Sequence, residues 1–140
     1  MSIILYSSKY SNTKKIASYV HKKTKIPYIN INTAGKSLFT ANDNILICTP
    51  TYGCEELQDE MEEFILTHMH DINKNFYIIE SGIPYGYERF HFGAKHVIEK
   101  YILQNKLGCV LSCVSINTYP KIDYNTLDEW LNYITNTLND

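Results

Sequence analysis

The sequence predicts an α/β protein: one parallel sheet of five strands in the order 2-1-3-4-5, with helices on both faces. Two observations point there. Apolar runs beginning at Ile3, Pro27, Asn44, Asn75 and Leu107 alternate with segments of helical periodicity. No segment repeats in tandem, so the alternation is that of successive strand–helix crossovers in one sheet. With 140 residues, 44% of them hydrophobic, the chain can cover both faces of such a sheet, and a single domain spanning 1–140 is expected.

Ile3 to Tyr6 is a short apolar strand ending in Ser7-Ser8-Lys9-Tyr10-Ser11-Asn12-Thr13, after which Ile16, Ala17, Tyr19 and Val20 recur at helical spacing among lysines. Pro27 to Ile31 alternates apolar and polar residues, as a half-exposed second strand does, and the polar stretch Thr33 to Asn42 is a connection. Asn44 to Thr49 is almost continuously apolar, the pattern of a central parallel strand covered on both faces. Pro50 to Glu56 breaks that pattern, and Leu57, Met61, Phe64 and Ile65 then mark one face of an acidic helix. Asn75 to Ile79 is the fourth strand and Ser81 to Gly86 a Gly/Pro loop. Phe90 to Leu103 is a helix with Ala94, Val97, Ile98 and Tyr101 inward. Leu107 to Ile116 is the fifth strand, Asn117 to Asp123 a loop with Pro120, and Leu127 to Leu138 a closing helix carrying Trp130.

A net charge of −2 and no basic stripe exclude a nucleic-acid binder; Lys14, Lys15, Lys22, Lys23 and Lys25 read as the solvated side of the first helix. No apolar run approaches the roughly 18 residues of a membrane span, and the N-terminus has no signal-peptide pattern, so a cytoplasmic location without membrane contact is expected. Cys48, Cys54, Cys109 and Cys113 show no CxxC spacing, and the three within apolar runs read as buried thiols. His21, His68, His70, His91 and His96 offer no ligand spacing, so no metal is expected. Nor does the sequence order a Ser-His-Asp set or paired buried carboxylates, and no catalytic residue is assigned.

In such a sheet, ligands bind beyond the carboxyl ends of the strands at the switch point, here between the first and third strands. The loop after the first strand, Ser7 to Thr13, brings hydroxyls and an amide to a helix start, where unpaired N–H groups favour a phosphate. The loop after the third, Thr49 to Leu57, sets Tyr52 beside Gly53, an aromatic face next to a peptide free to turn over. The loop after the fourth, Ser81 to Phe90, again joins glycines to tyrosines. Two aromatic loops flanking a phosphate cradle suit a flat heterocycle on a phosphorylated tail.

These residues resemble the flavodoxin family. Ser8 to Thr13 is similar to its phosphate loop, Thr51-Tyr52-Gly53 with Glu56-Leu57 and Asp59-Glu60 to its second flavin loop, and Tyr87-Glu88-Arg89-Phe90 with Gly93-Ala94 to its third. The likeness continues through Leu107-Gly108, Tyr119-Pro120 and the helix around Trp130, covering nearly the whole chain. It implies a flavodoxin-like three-layer sandwich and a short-chain FMN-binding electron carrier. Ser8, Lys9, Tyr10, Ser11, Asn12 and Thr13 would hold the FMN phosphate, and Tyr52 and Tyr87 would sandwich the ring. Gly53 would present the carbonyl that accepts a hydrogen bond from the flavin N5–H, stabilising the one-electron state. Thr51, Cys54, Ser81, Gly82, Tyr85 and Phe90 complete the implied cofactor-binding set.

The chain also departs from the family pattern. Tyr10 and Ser11 stand where flavodoxins usually have Thr and Gly, and Cys54 replaces a common Asp. The third loop is one residue longer, with Ile83-Pro84 in place of an acidic residue, which leaves either Tyr85 or Tyr87 as the stacking ring. Glu55, Glu56, Asp59, Glu60, Glu62 and Glu63 concentrate negative charge beside the implied flavin edge, disfavouring anionic reduced flavin and steering basic partners. The expected partners are a reductase and an acceptor protein docking near Glu55–Glu63, with the carrier itself a monomer. The other readings are a flavodoxin-like activator of class Ib ribonucleotide reductase and a small FMN-dependent quinone or protoporphyrinogen oxidoreductase. A flavin-free response-regulator domain does not fit, since Tyr6-Ser7-Ser8 stands where its acidic cluster would be.

Overall fold

A strand that is apolar on both faces is stable only between two covering layers, and the runs at 3–6, 44–49 and 75–79 are of that kind. A computed structural model of the chain describes residues 1–7, 11–33, 41–52, 56–57, 61, 63–65, 73–82, 94–118 and 121–138. β1 (Ser2–Tyr6), β2 (Tyr28–Asn30), β3 (Asn44–Tyr52), β5 (Lys74–Gly82) and β6 (Gly108–Asn117) form a parallel sheet in the order β2-β1-β3-β5-β6. Counting the parallel strands alone, this is the expected 2-1-3-4-5. The two-residue β4 (Glu56–Leu57) adds an antiparallel pairing at the end of β3, Thr51 opposite Leu57 and Tyr52 opposite Glu56.

Alternate strand residues feed two cores. Ile3, Leu5, Ile45, Ile47, Phe76 and Ile78 pack with Met61, Phe64 and Ile65 and with Ile98 and Ile102 of α2 (Ala94–Gln104). On the opposite face, Ile4, Tyr6, Leu46, Cys48, Tyr77 and Ile79 pack beneath α1 (Ser11–Thr24) and α3 (Tyr124–Leu138). The second layer is also tied laterally: the Tyr19 hydroxyl of α1 donates to Asp128 of α3 at 2.6 Å, and the Tyr19 and Tyr124 rings lie 4.6 Å apart. Trp130 meets the Tyr77 ring edge-on and donates its indole N–H to Ser112 at 2.8 Å.

The central strands run further toward the carboxyl edge than their apolar runs suggest, so Thr51, Tyr52, Ser81 and Gly82 belong to strands rather than to loops. Leu57, expected on a helix with Met61, Phe64 and Ile65, is in β4 instead, because the reversal after β3 gives the Thr51 and Tyr52 backbone a partner there. Cys48 is buried as expected, but Cys109 is exposed and Cys113 only half-buried, since β6 is an edge strand. Val97 faces outward, and Ile102 takes the inward position expected of it. Between β5 and β6 the register shifts, Phe76 facing Val110 but Tyr77 facing Ser112. This bulge leaves Leu111 as the extra residue, and it is exposed.

β6 begins at a close approach of two backbones. Gly108 has φ 148°, and a Cβ added there would lie 1.9 Å from the Lys74 carbonyl oxygen at the start of β5. The obstruction is backbone, which no rotamer change relieves. Gly108→Ala is therefore expected to cost on the order of 3 kcal/mol of stability. The measurement is urea unfolding; a midpoint unchanged from the parent protein would contradict the close approach.

Candidate functional site

The carboxyl ends of β1, β3 and β5 lie on one edge, because the three strands are parallel and paired in register, Tyr6 beside Cys48 and Pro50 beside Ser81. The chain goes to opposite sides of β1 to form β2 and β3, so the switch point lies where β1 and β3 end. Ser7, the residue after β1, is buried and its backbone N–H donates to the Cys48 carbonyl at 3.4 Å. The start of α1 is held against the same strand, since the Cys48 thiol donates to the Thr13 carbonyl at 3.5 Å. Burial pushes this thiol up to about 12, so it stays protonated and is not a nucleophile.

The first turn of α1 contains no acidic residue. Within it Asn12 is half-buried and Thr13 is 1% exposed. Among the described residues, Thr13 Oγ1 and Tyr77 Oη are the buried side-chain polar atoms with no hydrogen-bond partner. A buried hydroxyl without a partner costs about 1–3 kcal/mol, so its presence at a helix start calls for a ligand that can pair with it.

The other two helix starts are already supplied with carboxylates. Glu80, fully buried near the end of β5, accepts a hydrogen bond from the Lys95 backbone N–H of α2 at 3.0 Å. Asp123 caps α3, accepting from the Thr126 N–H at 3.2 Å and the Thr126 hydroxyl at 2.6 Å. The Thr126 hydroxyl and then its N–H hold the Asp123 carboxyl below the usual carboxylate range. Of these three helices, the one whose start lies at the switch point is the one that receives no carboxylate from the described residues.

The second and third loops leave the same edge. The backbone of Thr51 and Tyr52 lies at the end of β3, with β4 folding back on it. Ser81 is buried between Pro50 and Ile116, and the Gly82 carbonyl accepts from the N–H and hydroxyl of Thr118 at 3.0 and 3.2 Å. The structure thus brings Ser11, Asn12, Thr13, Thr51, Tyr52, Ser81 and Gly82 to one sheet edge. Ser8, Lys9, Tyr10, Gly53, Cys54, Tyr85, Tyr87 and Phe90 lie outside the described residues.

Sequence reasoning passed over Glu80, although a carboxylate continuing the run Phe76-Tyr77-Ile78-Ile79 is a signal in itself: a charge inside an apolar strand must be paired. Among the described residues no group of three His, Cys, Asp or Glu could hold a metal ion. Nor is any described helix long and apolar enough to cross a membrane.

Comparison with known proteins agrees with this geometry. Residues 3–81 match a family model described as the flavodoxin domain. The fold is similar to that of a flavodoxin from Streptococcus pneumoniae TIGR4, with a TM-score of 0.78, 24% identity and coverage of 98% of this chain and 96% of that one. It is similar to oxidised flavodoxin 1 of Bacillus cereus, with a TM-score of 0.68, 20% identity and coverage of 94% and 92%. The flavodoxin of Fusobacterium nucleatum bound to flavin mononucleotide matches with a TM-score of 0.64, 17% identity and coverage of 84% and 71%. At these identities the likeness to solved structures is one of fold. No curated protein matches the chain by sequence.

Because its folded-state pKa is lowered, the Asp123 carboxylate adds stability above the unfolded-state pKa of about 3.9, and that contribution disappears as pH falls through the folded value. Asp123→Ala should therefore cost about 1 kcal/mol at neutral pH. The difference from the parent protein, followed by thermal unfolding, should shrink steadily below about pH 4. A pH-independent difference would show that Asp123 acts other than as a charged cap.

Proposed function

Since the chain belongs to the flavodoxin domain family, we propose that it binds FMN non-covalently and transfers single electrons between larger redox proteins. The observation behind this reading is the buried, unpartnered Thr13 hydroxyl in the acid-free first turn of α1 at the switch point. A phosphate dianion suits that position: it accepts from the hydroxyl and from the first backbone N–H groups of the helix, and the macrodipole favours its charge. FMN is a flavin with such a phosphate, and when bound it supplies the redox chemistry, leaving the protein to hold and tune it.

On this reading Ser8, Lys9, Tyr10, Ser11, Asn12 and Thr13 hold the phosphate. Tyr52 flanks the flavin from the end of β3, and Tyr85 or Tyr87 flanks it from the segment after β5. Thr51, Cys54, Ser81, Gly82 and Phe90 line the remainder, and the Gly53 peptide offers a carbonyl that can turn toward a ring proton. Partners dock near Glu55–Glu63, of which Glu63 is exposed; negative charge there steers a basic surface toward the flavin edge. The carrier works as a monomer in the cytoplasm.

Two measurements test this. Adding FMN to the purified protein should give stoichiometric binding with a perturbed flavin spectrum, and anaerobic potentiometric titration should resolve two well-separated one-electron steps. A single two-electron step would favour a flavin enzyme, and absence of binding would refute the proposal. Thr13→Val removes a hydroxyl that has no protein partner, so it should leave apoprotein stability unchanged or raised while weakening FMN binding about tenfold. Unaltered FMN affinity in that variant would remove Thr13 from the phosphate site.

A further inference from the structure

Glu80 has a second role to answer for. Its side chain is on the α2 face of the sheet, two residues before the end of β5, and it is fully buried. The Ser115 hydroxyl of β6 donates to its Oε1 at 2.6 Å, the Lys95 backbone N–H donates to its Oε2 at 3.0 Å, and the Lys95 ammonium lies 3.6 Å from Oε1. Lys95 Nζ also donates to Ser115 Oγ at 2.9 Å. Three elements thus meet at one carboxylate: the end of β5, the start of α2 and the strand β6.

Such a cluster is a poor way to gain stability. Taking a charge pair out of water costs roughly what the pair returns, and apolar residues of the same volume often serve as well. The preceding residues of β5, Phe76 to Ile79, are apolar and buried, so an apolar side chain at 80 would continue the core. An ion pair retained here, one residue before Ser81 and on the strand from which the third flavin loop departs, suggests a role at the ligand edge. Its charges are shielded from bulk water on the Glu80 side, where the side chain is 0% exposed against 26% for Lys95, so their field reaches neighbouring groups with little screening.

We propose that Glu80, Lys95 and Ser115 form a buried positioning cluster whose paired charges set the relative affinity of the site for oxidised and reduced flavin. This rests on the FMN reading above. Lys95 balances Glu80, and Ser115 fixes the distance between them by bonding to both. Removing the Lys95 cation adds one net negative charge to the cluster, which disfavours the anionic reduced flavin; removing the Glu80 anion adds one net positive charge, which favours it. The two single variants therefore act with opposite sign.

The test is the ratio of dissociation constants for reduced and oxidised FMN, obtained from midpoint potentials of free and bound flavin. Lys95→Met should raise that ratio about tenfold, Glu80→Gln should lower it about tenfold, and the double variant should return close to the parent value. A fastening role alone would lower apoprotein melting temperature in both variants and leave the ratio unmoved or moved in one direction; that result overturns the proposal. If Glu80→Gln does not fold, Lys95→Met decides alone, since its side chain is partly exposed and its removal leaves the core intact: an unchanged ratio overturns the inference. If the parent protein binds no FMN, the FMN reading itself fails and the inference falls with it.

Discussion

β3 is paired on both sides, Ile45 through Cys48 lying beside Ile3 through Tyr6 of β1 and beside Phe76 through Ile79 of β5. Its alternation sends Ile45 and Ile47 to one core and Leu46 and Cys48 to the other. A slip of one residue would exchange the two sets and set Asn44 or Thr49 against helix packing, so the register is fixed by both cores at once. That register also decides where everything polar goes. With both faces covered, the ends of the strands are the remaining places where backbone groups and hydroxyls can meet a ligand, and Cys48 holds the first turn of α1 at one of them through the Thr13 carbonyl.

Helix starts then distribute charge along that edge. α2 and α3 receive carboxylates from Glu80 and Asp123, each satisfying N–H groups that have no partner within the helix. Among the described residues α1 receives none, and its first turn keeps a buried hydroxyl unpaired. The Tyr77 hydroxyl is the other buried orphan among the described residues, and it lies in the apolar layer against Trp130 rather than at the edge. Burial raises its pKa, as expected of a phenol kept neutral among hydrocarbon. The two orphans therefore differ in setting: Thr13 belongs to the first turn of α1, at the carboxyl edge of the sheet, whereas Tyr77 is part of a core.

The architecture was legible because hydrophobic periodicity is a local property. The runs at 3–6, 44–49 and 75–79 declare strands covered on both faces, and the spacing of Ile16, Ala17 and Val20 or of Leu127, Trp130, Leu131 and Ile134 declares one-sided helices. Strand ends were less legible, since Pro50, Glu80 and Ser81 belong to strands through pairing with neighbours distant in sequence. The same reason hid the β3–β4 reversal and the bulge at Leu111. Cys109 was read as buried from an apolar run, but an edge strand exposes residues that a central one would cover. Of the candidate site, the helix start at Ser11 to Thr13 was readable from hydroxyls next to an apolar periodicity, while the Glu80 cluster depends on Lys95 and Ser115 converging from two other elements.

The central claim is that the start of α1 is an anion site for the phosphate of FMN, and the most direct measurement compares FMN with riboflavin, which has the same ring and no phosphate, by calorimetric titration of the apoprotein. Two charge-assisted hydrogen bonds at the helix start predict riboflavin binding at least about a hundredfold weaker than FMN, with the FMN advantage falling as salt rises. Equal affinity for the two flavins would contradict the account, because the orphaned Thr13 hydroxyl and the acid-free helix start would then have no part in binding.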